Sequence, residues 1–210
     1  MFKPLVTIGS TRWVVPGILL VLIATVPLRG NASKVLPPGG NVNLAPGTTA
    51  IAEPSLNGTV VARKAFPFLI NPLGMPNVTC AGQLDNMVVR SNQTHLFDFY
   101  YRLTGLRGGL GMQFLATTGF GARPLLVDWR ADLLPGSAPP VTATRGPAAF
   151  PTLTFYFVTA TLGQPLKCAA PAGESRWFFV KTGAARFAAA GTTTLNAGLG
   201  QAIIRGTFTP

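Results

Sequence analysis

Between Leu96 and Leu103 the side chains divide into two sets by alternation. Phe97, Phe99, Tyr101 and Leu103 fall on one face, and Leu96, Asp98, Tyr100 and Arg102 fall on the other, which tolerates water. A period of two marks a half-buried strand, because successive Cβ atoms of an extended chain point to opposite sides. The same rhythm sets Leu153, Phe155 and Phe157 against Thr154 and Tyr156, and Leu125, Val127 and Trp129 against Leu126, Asp128 and Arg130. It also groups Leu110, Met112, Phe114 and Ala116 as an inward set with Gln113 outside. Val88-Val89, Trp177 to Lys181 and Gln201 to Phe208 add further strands. Gly108-Gly109, Pro135-Gly136, Pro139-Pro140 and Gly198-Leu199-Gly200 punctuate them as turns. Ala184 to Ala190 is rich in alanine but too short for a stable helix, which needs about 12 residues, so it reads as a turn or edge strand. Many short strands at spacings of about ten residues predict an all-β fold: an antiparallel β-sandwich or jelly-roll-like single domain.

The start of the chain follows a different rule. Lys3 and Arg12 precede an apolar run from Val14 to Val26, and a polar stretch then ends in Gly30, Asn31 and Ala32. Signal peptidases require small side chains at the last and third-last positions before the cut, so residues 1–32 read as a signal peptide cleaved after Ala32. An uncleaved anchor is the alternative, and the only route to a membrane, but spanning takes roughly 20 apolar residues. Residues 33–56 are dominated by Pro, Gly, Asn, Ala and Thr and read as a flexible leader. Asn57-Gly58 is a hairpin-type turn signal, and the domain is expected over residues 57–210.

Charge changes the picture little. The chain has 17 basic and 6 acidic residues, and removing Lys3, Arg12 and Arg29 leaves 14 − 6 = +8. Such a balance favours anionic partners such as an envelope surface or an acidic polysaccharide. The arginines are spread singly from Arg63 to Arg205 with no recognition element, which argues against a specific nucleic-acid partner. Cys80 and Cys168 are the only cysteines. In an oxidising compartment they are expected to pair, two free buried thiols being the alternative. Two cysteines without further ligands make no zinc site.

Several segments together resemble the β-sandwich ectodomain of exported bacterial proteins of the PEP-CTERM-associated type. They are Leu96-Phe97-Asp98-Phe99-Tyr100-Tyr101, Leu153-Thr154-Phe155-Tyr156-Phe157, the run from Gly173 to Thr182, and Gly206-Thr207-Phe208-Thr209-Pro210. The resemblance covers roughly residues 57–210 and implies an extracellular or surface role in exopolysaccharide or biofilm material, with no catalytic residues to carry over. The group's Pro-Glu-Pro sorting signal does not follow Pro210, so the resemblance implies a member that is released or held non-covalently.

Candidate chemistry is sparse. His95 is the only histidine and lacks an adjacent nucleophile or orienting carboxylate. Asp128 and Asp132 are the nearest approach to a glycosidase pair, which needs carboxyls about 5–10 Å apart across a sugar site. Tyr100 and Tyr156, on faces read as outward, and Trp129 are candidates for stacking on sugar rings, although strand aromatics more often serve the core. The expectation is a secreted or periplasmic, non-catalytic surface or matrix protein without a metal or cofactor. A carbohydrate-binding module is the alternative, and an extracellular hydrolase using Asp128 or Asp132 a remote one.

Overall fold

The computed structural model describes residues 32–75, 77–134, 136, 138–158, 165–169 and 173–210, so all of the expected signal peptide but Ala32 lies outside the described residues. The described strands, numbered in chain order, form two antiparallel sheets packed face to face. The first runs β1 (Lys34–Leu36), β7 (Leu125–Trp129), β11 (Phe178–Ala184), β5 (Phe97–Gly108), β4 (Cys80–Ser91), β3 (Gly58–Ile70). The second runs β13 (Gly200–Thr209), β12 (Ala188–Ala197), β6 (Gly111–Thr117), β9 (Leu153–Tyr156), β8 (Thr142–Arg145), β2 (Asn41–Asn43), with β10 (Leu166–Lys167) beside β6. The only helical element among the described residues is a single 3-10 turn, Pro54–Leu56. The all-β sandwich expected from the alternation is what forms.

The alternating apolar residues meet between the sheets. Phe99, Tyr101 and Leu103 of β5 and Phe178 and Val180 of β11 face Leu153 and Phe155 of β9 and Leu195 of β12 in one buried cluster. Phe178 is its hub, with ring centroids 4.7 Å from Phe155, 5.7 Å from Phe157 and 5.8 Å from Tyr101. Such pairs add about 0.5–1.5 kcal/mol each beyond area burial. A polar residue inside this layer, Asn86, has a partner at both ends of its amide: its nitrogen donates to the Tyr100 carbonyl at 3.1 Å and its oxygen accepts from the Phe208 N–H. The Tyr101 hydroxyl also donates to the Phe208 carbonyl, at 3.3 Å, so the edge strand β13 is tied to the middle of the opposite sheet.

Cys80 opens β4 and Cys168 follows β10; they form a disulfide with Cα atoms 5.4 Å apart, both fully buried. The bridge therefore joins the two sheets.

Three expectations are corrected. The inward set of β6 is not Leu110, Met112, Phe114 and Ala116: Met112 and Leu115 are fully buried while Phe114 and Ala116 are half-buried. The pairing with β12 shifts between Asn196 and Ala197, and an extra residue in one strand moves every later side chain to the other face. Asn57-Gly58 is not a hairpin turn; Asn57 caps the 3-10 turn and Gly58 begins β3. Glycine is required there because a Cβ would lie 2.4 Å from the Arg90 carbonyl oxygen. Finally, residues 33–56 are not a flexible leader. They supply β1 and β2, paired in register with β7 and β8, and bury Leu36 and Leu44 completely. No periodicity announces them, because a strand of three residues is shorter than any pattern.

Candidate functional site

The rest of that segment, residues 45–57, forms a strap across the outer face of the six-stranded sheet. It is anchored by backbone bonds, with Thr48 N–H donating to Trp129 C=O at 2.9 Å and Ala131 N–H donating to Thr48 C=O at 2.8 Å. Gly47 lies flat on the Trp129 indole; a Cβ at this residue would come within 2.5 Å of the ring. The Leu56 side chain then completes a small apolar cluster with Met87, Val89, Tyr100, Trp177 and Phe179.

Beneath the strap the sheet presents charge. In adjacent strands Met87, Tyr100, Phe179 and Asp128 lie in one row, and Val89, Asp98, Lys181 and Leu126 in the next. Lys181 donates to both the Glu53 carboxylate and the Ser55 hydroxyl of the strap. Arg130 grips Asp132 with two bonds, 2.7 and 3.0 Å, and donates to the Leu56 carbonyl at 3.2 Å and the Tyr100 hydroxyl at 3.3 Å. Asp132 also accepts from the Ala50 N–H at 2.8 Å.

Asp98 and Asp128 are less well served. Both are buried, and each has one carboxylate oxygen without a hydrogen-bond partner. Burial pushes the Asp98 carboxyl up to about 7, against the pull of Lys181. Burial likewise pushes Asp128 up to about 7, although it accepts a bond from the Trp129 N–H at 2.8 Å. Burial alone would also raise Glu53, but the Lys181 ammonium and its bonds with Ser33 outweigh it and hold that carboxyl below the ordinary range. Asp132 is held low in the same way by Arg130.

Beside the strap a groove of about 380 Å³ opens to solvent, lined by Leu56, Val60, Arg63, Met87, Tyr100 and Trp177 among others. Volumes of this order suit small ligands. Arg63 and Arg102 place their guanidinium carbons 5.7 and 5.9 Å from the Trp177 ring centroid, so cations occupy that aromatic surface.

The three aromatic candidates are not brought together. Tyr100 does lie on the outer face, but it is 1% exposed, so its expected access to solvent is corrected: the strap and Arg130 cover it at the edge of the groove. Trp129 is covered by Gly47. Tyr156 lies half-buried on the other sheet, 5.8 Å from Phe114. Asp128 and Asp132 form no pair across a cleft; one is buried and the other is engaged by Arg130 and Ala50. His95 is exposed in the turn between β4 and β5, at a φ of 60°. Among the described residues no three His, Cys, Asp or Glu side chains gather as a metal-ligand set. The groove and the charged layer under the strap went unforeseen because Glu53 and Leu56 carry no periodic signal. Comparison with protein-family models, curated proteins and solved structures finds no match to the chain.

Proposed function

We propose that the chain is an exported, non-catalytic β-sandwich protein that serves as a surface or extracellular-matrix component. The observation that carries this reading is the Cys80–Cys168 bridge between the sheets, since such bonds persist in oxidising compartments and are rare in reducing ones. The secretory pattern of residues 1–32 and the resemblance to PEP-CTERM-associated ectodomains support the same location. The non-catalytic part rests on the carboxylates: Glu53 and Asp132 anchor the strap, Asp98 and Asp128 sit under it, and Asp85 and Glu174 are paired with Arg63 and Arg102. A net charge of 14 − 6 = +8 after removal of the signal suits an anionic polysaccharide or envelope surface as its surroundings.

The test is fractionation of cells expressing the full chain, followed by mass spectrometry of non-reduced peptides. Recovery outside the cytoplasm with Cys80 joined to Cys168 is expected. Retention in the cytoplasm, or two alkylatable thiols in the exported form, overturns the reading.

A second reading, carbohydrate binding, is favoured by the groove rather than by Trp129 or Tyr156. Polysaccharide pull-down that disappears in Arg63→Ala would support it, and retention by no polysaccharide would remove it.

A further inference from the structure

The first strand begins at Lys34, and the two residues before it stand outside the sheet: Ala32 is exposed and Ser33 half-buried. The Ala32–Ser33 bond is the one that the small residues Gly30 and Ala32 mark for a signal peptidase. On its far side the Ser33 nitrogen lies 2.9 Å from Glu53 Oε2, a carboxylate of the strap. In the uncut chain this nitrogen is an amide with one proton and no charge.

We propose that cleavage after Ala32 creates an α-ammonium at Ser33 that is captured by the Glu53 carboxylate, so that export processing itself locks the strap onto the sheet. This rests on the export reading and adds a role for the new terminus. The step is a hydrolysis: water adds to the Ala32 carbonyl carbon and the bond to the Ser33 nitrogen breaks. Ala32 leaves as a carboxylate, and the freed amine takes up a proton.

The surroundings suit a cation. The charged groups that act on one another here are Glu53 on the strap, Asp98 on β5, Asp128 on β7, Lys181 on β11 and Lys34 on β1, while Arg130 is neutralised by Asp132. Glu53 stays ionised while burial leaves Asp98 and Asp128 close to half-protonated at pH 7, so the terminus brings its cation to one firm carboxylate and to two that it would help to ionise. It does so at a position where an N–H already points at the carboxylate, so little rearrangement is needed. A charge-assisted bond is roughly twice as strong as a neutral one.

Intact-mass measurement of the exported protein comes first. A chain beginning at Ser33 is expected; an exported chain beginning elsewhere overturns this inference and leaves the export reading standing, whereas no export at all removes the latter. The second measurement is the rate of N-terminal acylation at pH 7. An α-amine ordinarily titrates near 7.7–8.0, and contact with a carboxylate raises that value. Acylation of the Ser33 terminus is expected to be at least about tenfold slower than in Glu53→Gln, one pKa unit being a tenfold change in free amine. Should Glu53→Gln fail to fold, a form retaining Ala32 as its first residue moves the ammonium away from Glu53 and should react at the ordinary rate. Ser33→Ala, which keeps the amine in place, should remain slow. Equal rates in the Ser33-terminated protein and in either comparison form overturn the proposal.

Discussion

The two faces of the six-stranded sheet solve the same problem with opposite means. On the inner face Phe99, Tyr101, Phe178 and Val180 are buried by a second sheet that brings its own apolar side chains. On the outer face Asp98, Tyr100, Asp128 and Phe179 are buried just as deeply, by a strap that brings mostly backbone, one carboxylate and one leucine. The inner face gains by removing apolar area from water, about 25 cal/mol per Å². The outer face gains by supplying partners to polar groups, and it is incomplete: Asp98 and Asp128 each keep an oxygen with no partner. Burial alone therefore says little about what holds a surface together.

The largest separation of the two should come from Phe178→Ala. It empties the hub of the inner cluster and should lower stability by about 3–5 kcal/mol in denaturant titration, the range for a buried aromatic. Arg130→Met tests the outer face. It strips the donors from Asp132, the Tyr100 hydroxyl and the Leu56 carbonyl, and should cost about 2–3 kcal/mol, below the full range for a broken buried pair because Asp132 is partly exposed. A strap held by its own packing would show no such loss.

Asp128→Asn should move the other way. A carboxyl raised from 3.8 to about 7 in the folded state contributes stability that is fully present below about pH 4 and lost as pH rises through about 7. The amide removes that dependence, so the variant should gain over the parent at pH 8.5 relative to pH 4, by about 1–2 kcal/mol once local relaxation and water entry discount the roughly 4 kcal/mol that a shift of this size would give. Urea titrations at both pH values measure it, and a pH-independent difference would show that the unpartnered oxygen is not a liability. The smallest effect belongs to Tyr156→Ala on the open face of the second sheet, expected within about 1 kcal/mol by thermal unfolding.

The contrast also explains what could be read from sequence. The inner face announced itself, since Leu153, Phe155 and Phe157 alternate with half-buried partners as the pattern required. The outer residues of β5 and β7 carried the right polarity for a wet surface, and nothing local told them that a strap would cover them. The strap hid in a Pro- and Gly-rich stretch because its anchors are backbone groups such as Thr48 N–H, and backbone groups are the same in every residue. The slip in β6 was equally silent, as a bulge depends on how two distant strands pair. Cys80 and Cys168 could be paired from their count alone.

That count has a consequence for the order of assembly. A chain emerging from its amino end presents Cys80 first, and Cys168 follows 88 positions later. Through that interval no rival thiol exists within the molecule, and two cysteines permit one intramolecular connectivity. Oxidation of a single chain consequently leaves nothing for an isomerase to rearrange. The mispairing open to Cys80 is therefore with a thiol outside the molecule, since shuffling within one chain has no second partner to offer it.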